Sequence, residues 1–279
     1  MNKAHQYIRQ YLHAQTGVSL GPDKDYLIQS RLHGLLKLHA LTDLNQLVAV
    51  LEDRPDGELA SGLISCLTTH ETSWFRDQRP FDRLRHEVLP KLRERHSRQI
   101  AIWSAACSTG QEIYSVAMLL REAGFCAPQW QVSLLGSDVC KSAVAQAERG
   151  VYSRFEMERG LALTYRDRYF QMTQDAWSIS SELRRSVRFE VANLIRLPVS
   201  QARFDVIFCR NVLIYFDQEV QKKVLQSLHE RLVPGGFLFM GAAESPLGLC
   251  DAFQFVGTGS GLYSRAEVQP QNVSTKVRA

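Results

Sequence analysis

Apolar residues recur at helical spacing through the first quarter of the chain, from Lys3 to about Leu67. Turn residues interrupt this pattern at Gly17, at Gly21–Asp23 and at Pro55–Gly57. Thr42 stands where an N-cap residue would start a further helix. The pattern predicts about four short helices, and residues 1–79 are interpreted as an N-terminal helical domain with an interdomain segment.

The periodicity changes beyond Gln99, where short β-rich runs alternate with amphipathic stretches. The runs are Ile100–Ser104, Val132–Gly136, Val187–Val191, Phe204–Cys209 and Phe237–Met240. Such alternation is typical of a doubly wound α/β sheet. We predict this domain over residues 80–265, with a small antiparallel β insertion at about 168–190, where no long helical pattern is found. The polar tail, 266–279, is expected to be disordered.

Composition excludes several classes of protein. The 33 basic and 29 acidic residues are too balanced to indicate a nucleic-acid binder. The six cysteines are scattered without paired spacing, so neither a disulfide framework nor a metal site is indicated. No apolar run approaches the roughly 20 residues that cross a bilayer. We therefore expect a cytoplasmic protein that does not insert into membranes.

A loop of small residues follows the first predicted strand, in the run IAIWSAACSTGQEIYSVAMLL, and a helix is predicted to begin near Gly110. Small side chains from Ala105 to Gly110 allow a ligand to approach the backbone at the carboxyl end of that strand. The run has no GxGxxG pattern, which disfavours a pyrophosphate-binding NAD site. An ordinary tight turn between strand and helix explains the same residues.

Asp138 ends the second predicted strand, in LLGSDVC, where a carboxylate can accept both hydroxyls of an adenosine ribose. The alternative is that Asp138 only caps the next helix. Three further segments follow the later strands in order: EVANLIRLP, FDVIFCRNVLIYF and LVPGGFLFMGAAES. The Pro234–Gly236 turn before a strand is usual in class I methyltransferases and rare in dehydrogenases. These signals together favour a class I, Rossmann-like methyltransferase sheet.

From about Val18 to Tyr263 the chain resembles the CheR-type chemotaxis receptor glutamate O-methyltransferases. LTTHETSWFRD resembles that family's TTNET-FFR segment, WSAACSTGQEIYSVAM its SAAxSTGEEPYSIAM loop, and FCRNVLIYFD is nearly identical to the family form. The resemblance implies S-adenosylmethionine as cofactor and S-adenosylhomocysteine as product. It also implies that the methyl group goes to glutamate side chains of chemoreceptors, giving methyl esters in sensory adaptation.

The resemblance further implies which side chains bind the cofactor. They are His70, Thr72, Arg76, Glu112, Asp138, Asn193, Leu194, Arg210 and Asn211. Thr72 and Arg76 would reach across from the interdomain segment, and Asp138 would hold the ribose. The chain departs from the family pattern at three positions: His70 replaces Asn, Gln111 replaces Glu and Ile113 replaces Pro. Because an imidazole still donates one hydrogen bond, we expect altered affinity at His70, unless this ring only packs at the domain junction.

A glutamate carboxylate, with a pKa near 4.3, is ionised at neutral pH and needs no general base to attack a sulfonium methyl group. The enzyme must align the reacting atoms, which contributes on the order of 7–11 kcal/mol in well-oriented systems. Arg76 and Tyr215 are the candidate catalytic residues, one holding the cofactor's carboxylate and the other shaping the methyl channel. A surface salt bridge and a core aromatic are the respective alternatives.

The segment DKDYLIQSRLHGLLKLH predicts a helix whose buried stripe is Leu27, Ile28, Leu32, Leu35 and Leu36. Lys24 and Arg31 are a heptad apart, and with Lys37 they form a predicted basic face. By resemblance this face docks on the helical cytoplasmic signalling domain of a methyl-accepting receptor, although a merely solvated face has the same pattern. The short β insertion argues against binding of a receptor's peptide tether.

Two other functions remain open at the level of sequence. One is a class I methyltransferase acting on another protein or a small molecule, and the other is a non-catalytic module that senses the cofactor. The segment after the fourth strand lacks the paired prolines of DNA amino-methyltransferases.

Overall fold

The computed structural model describes residues 3–173, 175–198, 201–259 and 261–266. Its first four helices are α1 (Lys3–Thr16), α2 (Asp25–Leu38), α3 (Leu44–Asp53) and α4 (Glu58–Leu67). Their apolar stripes meet in one core, in which Ile8, Leu12, Leu32, Leu47 and Leu63 are fully buried. The predicted helical region at the N-terminus is confirmed.

Two details of this region differ from the sequence interpretation. Asp43 rather than Thr42 caps α3, because the Asp43 carboxylate accepts hydrogen bonds from two backbone N–H groups of the first turn. Of the predicted stripe on α2, Leu27 and Leu36 are only partly buried, and Leu27 faces a cleft described below. The shorter stripe of Ile28, Leu32 and Leu35 packs in the core.

The chain continues through α5 (Arg79–Arg83), a π-helical turn and α6 (Leu89–Glu94) into the α/β domain. That domain contains β1 (Gln99–Ala105), α7 (Gln111–Glu122), β2 (Gln131–Asp138), α8 (Lys141–Arg149), β3 (Val151–Ser153), α9 (Arg154–Met157), α10 (Leu163–Tyr169), β4 (Phe170–Thr173), β5 (Ala176–Ile179), α11 (Ser181–Arg185), β6 (Val187–Val191), β7 (Phe204–Cys209), α12 (Gln218–Arg231), β8 (Leu232–Met240), β9 (Phe253–Phe255) and β10 (Leu262–Arg265).

Seven strands form the main sheet in the order β6-β2-β1-β7-β8-β10-β9. The first five are parallel, and β10 runs antiparallel to both β8 and β9. If the five parallel strands of this sheet are numbered 1 to 5 in chain order, they lie in the Rossmann order 3-2-1-4-5. The direction of this order reverses between β1 and β7. The predicted class I methyltransferase sheet is confirmed, and the reversal places a ligand crevice at the carboxyl ends of these two strands.

Successive residues of the central strands pack into the hydrophobic cores on opposite faces of the sheet. Ile102 and Phe208 pack with α7 on one face, whereas Trp103 and Ile207 pack with α12 on the other. Strands buried on both faces carry continuous apolar runs, which explains the runs seen in the sequence. Within the described residues no helix is both long and apolar enough to cross a membrane.

The antiparallel insertion is present as a second sheet, in the order β3-β5-β4. Its extent differs from the predicted 168–190. β3 lies earlier in the chain, and Val187–Val191 is strand β6, which pairs with β2 in the main sheet. A three-residue strand directly after Gly150 is too short to show periodicity, so the sequence did not reveal it. Residues 267–279 of the tail that was expected to be disordered lie outside the described residues.

Candidate active site

A cleft lies between the helical domain and the carboxyl edge of the main sheet, at the reversal of strand order. It is lined by all of the side chains that the sequence singled out for the site: His70, Thr72, Arg76, Glu112, Asp138, Asn193, Leu194, Arg210, Asn211 and Tyr215. The helical domain adds Lys24, Leu27 and Arg31 to the same wall. Residues separated by more than a hundred positions in the chain therefore share one cavity.

The loop between β1 and α7 forms the floor of the cleft. Ala106, Ser108 and Gly110 have φ angles of 61°, 52° and 94°, a region of backbone conformation that residues other than glycine seldom adopt. The Cys107 N–H donates to the Ser137 carbonyl over 2.9 Å, which holds the loop on the end of β2. The ligand-facing backbone is therefore fixed by the neighbouring strand.

Asp138 is buried at the end of β2, and each of its carboxylate oxygens accepts one backbone hydrogen bond. Ser108 N–H donates to Oδ2 over 2.8 Å, and Cys140 N–H donates to Oδ1 over 2.9 Å. A carboxylate has about four acceptor positions, so both oxygens can accept a further bond from the cleft. Asp138 fixes the loop and presents a preorganised pair of acceptors to the cleft.

Glu112 and Arg210 form a buried ion pair rather than two independent ligand contacts. Arg210 Nη1 donates to Glu112 Oε2 over 2.9 Å, and the Arg210 side chain is 1% exposed. Arg210 Nη2 also donates to the Asp77 carboxylate over 2.7 Å and to the Arg76 carbonyl over 3.0 Å. Arg210 thereby joins the end of β7 to the interdomain segment.

Arg76 lies in a turn of unusual backbone geometry. Phe75, Asp77 and Gln78 all have positive φ angles, of 48°, 66° and 44°. The half-buried Arg76 side chain donates from Nη1 to the Glu71 carbonyl over 2.8 Å, which leaves other guanidinium N–H groups for a ligand. The turn therefore fixes the backbone of Arg76 beside the cleft.

Trp74 anchors this interdomain segment. Its ring is fully buried and makes edge contacts with Tyr152 and Phe170 of the small sheet, at centroid distances of 4.9 and 5.1 Å. The backbone N–H of Trp74 donates to the Arg159 carbonyl over 3.1 Å. The small sheet thus supports the segment that carries Arg76.

Backbone hydrogen bonds also join the loop after α1 to the wall of the cleft formed by the segment after β7. Ser19 N–H donates to the Tyr215 carbonyl over 2.8 Å, and Val18 forms an antiparallel bridge with Phe216. Asn193 Nδ2 donates to the Gln15 carbonyl over 2.5 Å. The amide of Asn193 therefore links the two domains, a role that the sequence did not indicate.

His70 lies near the thiol of Cys140, a residue that the sequence did not connect with the site. The His70 Nε2 atom lies 2.9 Å from the Thr68 hydroxyl and 3.1 Å from the Ser65 carbonyl. Burial lowers the pKa of His70, but the nearby Cys140 side chain and Asp138 carboxylate leave it raised. Cys140 Sγ lies 3.1 Å from the Ser142 hydroxyl and 3.4 Å from the Ser65 hydroxyl. Burial raises the pKa of Cys140, yet the nearby His70 ring and these two hydroxyls bring it down to about 6. The residue that replaces the family Asn therefore favours a thiolate beside the cofactor cleft.

Glu244 is the second residue that the sequence interpretation missed. It is 7% exposed and lies just after β8, and its carboxylate contacts the loop that carries Arg210 and Asn211. The only sequence signal was an acidic residue at the carboxyl end of a predicted strand, in GAAES. Asp138 ends its strand, whereas Glu244 lies four residues beyond the last residue of β8.

The cleft has the donors and acceptors that an adenosyl amino acid needs. Asp138 offers acceptors for a ribose diol, Arg76 offers donors for a carboxylate, and the small residues at Ala106 and Ser108 leave the backbone accessible. The strand order and this cleft define a Rossmann-like methyltransferase as the class of the protein.

Comparison with known families gives the same class. Residues 4–68 match the CheR methyltransferase all-alpha domain, and residues 70–262 match the CheR methyltransferase SAM binding domain. The chain belongs to the CheR methyltransferase family, as its sequence motifs predicted. It is an S-adenosylmethionine-dependent methyltransferase, and S-adenosylmethionine is its cofactor.

Three curated relatives match over at least 92% of their own length. Chemotaxis protein methyltransferase Cher2 of Pseudomonas putida is 34% identical over 271 residues, 95% of this chain and 98% of the relative. Chemotaxis protein methyltransferase 1 of Pseudomonas aeruginosa is 36% identical over the same shares of both chains. The chemotaxis protein methyltransferase of Vibrio parahaemolyticus is 38% identical over 255 residues, 90% of this chain and 92% of the relative.

Proposed function

We propose that the protein transfers the methyl group of S-adenosylmethionine to glutamate side-chain carboxylates of chemoreceptors. The products are glutamate methyl esters and S-adenosylhomocysteine, and the role is sensory adaptation in the cytoplasm. The observation that carries the proposal is the convergence of the family motifs on one cleft between the two domains. The names of the relatives support chemotaxis as the setting.

The cleft residues have distinct roles in this proposal. Asp138 accepts the ribose hydroxyls, and Arg76 holds the carboxylate of the cofactor's methionine portion. The bound cofactor supplies an electrophilic methyl group on a sulfonium. Thr72, His70, Leu194 and Asn211 complete the walls. The Glu112–Arg210 pair and Asn193 act indirectly, because the Glu112 carboxylate, both Nη groups of Arg210 and the Asn193 amide contact the protein itself.

Methyl transfer to a carboxylate requires alignment rather than proton abstraction. The attacking glutamate is ionised at neutral pH, so none of these residues has to act as a base. Tyr215, half-buried at the mouth of the cleft, directs the incoming side chain with its ring, and the Ser19 contact to its carbonyl fixes its backbone. The main contribution of the protein is a fixed approach in a water-poor cavity.

The mouth of the cleft carries the positive charge that would receive an acidic receptor helix. Lys24, in the turn before α2, and Arg31 on α2 both line it, and Arg31 Nη1 donates to the Leu67 carbonyl over 3.3 Å. Lys37 is not on this face, because six residues place it about 120° around the helix from Arg31. The proposed docking surface is therefore Lys24 and Arg31, without the Lys37 of the sequence interpretation.

The deciding experiment is detection of base-labile methyl groups on a receptor fragment incubated with radiolabelled S-adenosylmethionine. Glutamate methyl esters release methanol in mild base, whereas N-methyl groups do not. Release of labelled methanol supports the proposal. Stable label on the fragment would indicate a different methyl acceptor, and cofactor binding without any transfer would indicate a sensing module.

A further inference from the structure

The carboxylate of Glu244 accepts four backbone hydrogen bonds at the carboxyl ends of two adjacent strands, β7 and β8. Oε2 accepts from Asn211 N–H over 2.7 Å and from Gly241 N–H over 2.8 Å. Oε1 accepts from Val212 N–H over 2.9 Å and from Leu213 N–H over 2.7 Å. All four partners are donors, so the acceptor capacity of an ionised carboxylate is fully used.

The loop after β7 has a backbone shape that needs such an anion. Asn211 has a φ angle of 58°, and the N–H groups of three consecutive residues converge on one side chain. Converging backbone N–H groups form concave anion sites known as nests. Gly241 leaves the necessary space, since a Cβ there would lie 2.6 Å from Glu244 Oε2.

The loop that Glu244 holds, Asn211–Tyr215, is called the clamped loop, and the four hydrogen bonds to Glu244 are called the clamp. Two residues of this loop, Asn211 and Tyr215, line the cleft. Arg210 directly precedes the loop and makes the buried ion pair with Glu112. The Tyr215 carbonyl also accepts the Ser19 N–H from the helical domain. A shift of this loop would therefore move several cleft residues together.

We propose that Glu244 is a positioning residue for methyl transfer, which holds the Asn211–Tyr215 loop in the geometry that aligns the acceptor with the methyl group. The side chain reaches the cleft only through this loop. The proposal deepens the proposed function and depends on it for its kinetic test. Its structural test, exchange of the clamped N–H groups, does not depend on the substrate.

Glu244→Gln tests the clamp with nearly unchanged shape. The amide NH2 would face two N–H donors, so half of the acceptor contacts are lost. Because a displacement of about 1 Å can cost about a hundredfold, we expect kcat to fall by about tenfold to a hundredfold. KM for S-adenosylmethionine should change less than kcat, because Asp138 and its loop are untouched and Asn211 is the one proposed cofactor contact in the perturbed loop. Glu244→Asp keeps the charge with a shorter reach and should recover part of kcat.

Glu122→Gln is the matched control. Glu122 accepts from Arg168 over 2.6 Å and from the Tyr169 hydroxyl over 2.7 Å at the end of α7 remote from the cleft. Loss of the Glu122 carboxylate in this variant should lower the melting temperature and leave kcat unchanged. If Glu244→Gln does not fold, Glu244→Asp decides the matter: lowered kcat in the folded variant supports the proposal, and wild-type kcat overturns it.

Amide hydrogen exchange tests directly whether Glu244 holds the N–H groups of the loop. The N–H groups of residues 211–213 should exchange slowly in the wild type and faster in Glu244→Gln. Equal exchange in both proteins, or a wild-type kcat in a folded Glu244→Gln, overturns the clamp. A wild-type enzyme that is inactive on receptor fragments refutes the substrate assignment alone, and the exchange comparison then decides the clamp.

Discussion

Replacing Asp138 by alanine should abolish most of the affinity for the cofactor. In the structure each carboxylate oxygen accepts one backbone N–H and retains an acceptor position for a ribose hydroxyl. Hydrogen bonds to charged groups contribute about 1.5–3 kcal/mol each, so two of them amount to about 3–6 kcal/mol. Water that enters the vacated space recovers part of this. We expect at least about a hundredfold loss, since about 1.4 kcal/mol corresponds to a factor of ten.

Calorimetric titration with S-adenosylmethionine and with S-adenosylhomocysteine measures the loss. Both ligands should be affected equally, because they share the ribose. The variant should also melt at a lower temperature, since the N–H groups of Ser108 and Cys140 lose their acceptor. Titrations must therefore be made well below the melting temperature.

Asp205→Ala is the control for this loss of stability. Asp205 lies at the opposite end of the sheet, where its carboxylate accepts the Ala101 N–H over 2.8 Å and pairs with Arg95. This variant should lose stability and keep its affinity for the cofactor. An Asp138→Ala protein that is folded and binds S-adenosylhomocysteine within about threefold of the wild type would refute the ribose assignment.

Three further results are expected. Arg76→Ala should lower methyl transfer at least about tenfold with little change in melting temperature, and a variant that melts lower but stays active would show a structural role. Arg31→Glu should reduce methylation of a receptor fragment at low salt without changing cofactor affinity, whereas Lys37→Glu should have little effect; equal rates for both variants would refute docking on this face. The absorbance of the Cys140 thiolate is the difference between the wild type and Cys140→Ser, and it should titrate near pH 6. His70→Asn should raise the pKa of this titration. Because the folded pKa of Cys140 is below its ordinary value of 9.0, the stabilisation by its thiolate is lost as pH falls through about 6, and identical stability profiles of wild type and Cys140→Ser would contradict this.

The sequence alone determined the helical domain, the alternating α/β domain and most of the residues at the cleft. These features are local, because side-chain periodicity distinguishes helix from strand and because ligand-binding residues follow the strand ends directly. Asp138, Arg210 and Asn211 each lie at or just after the carboxyl end of a strand. Once a doubly wound parallel sheet was predicted, these residues were expected to share one edge, because the carboxyl ends of parallel strands meet there.

Tertiary structure alone decided what the polar groups of the cleft do. The pairing of Arg210 with Glu112 joins residues 98 positions apart, and the link from Asn193 to Gln15 joins residues 178 positions apart. No periodicity carries such information, because these contacts depend on how two domains and two strand-end loops pack. The same reason explains why Glu244 and the His70–Cys140 pair were missed. A side chain near a binding cleft can bind the ligand or hold the residues that do, and only the positions of its partners distinguish the two.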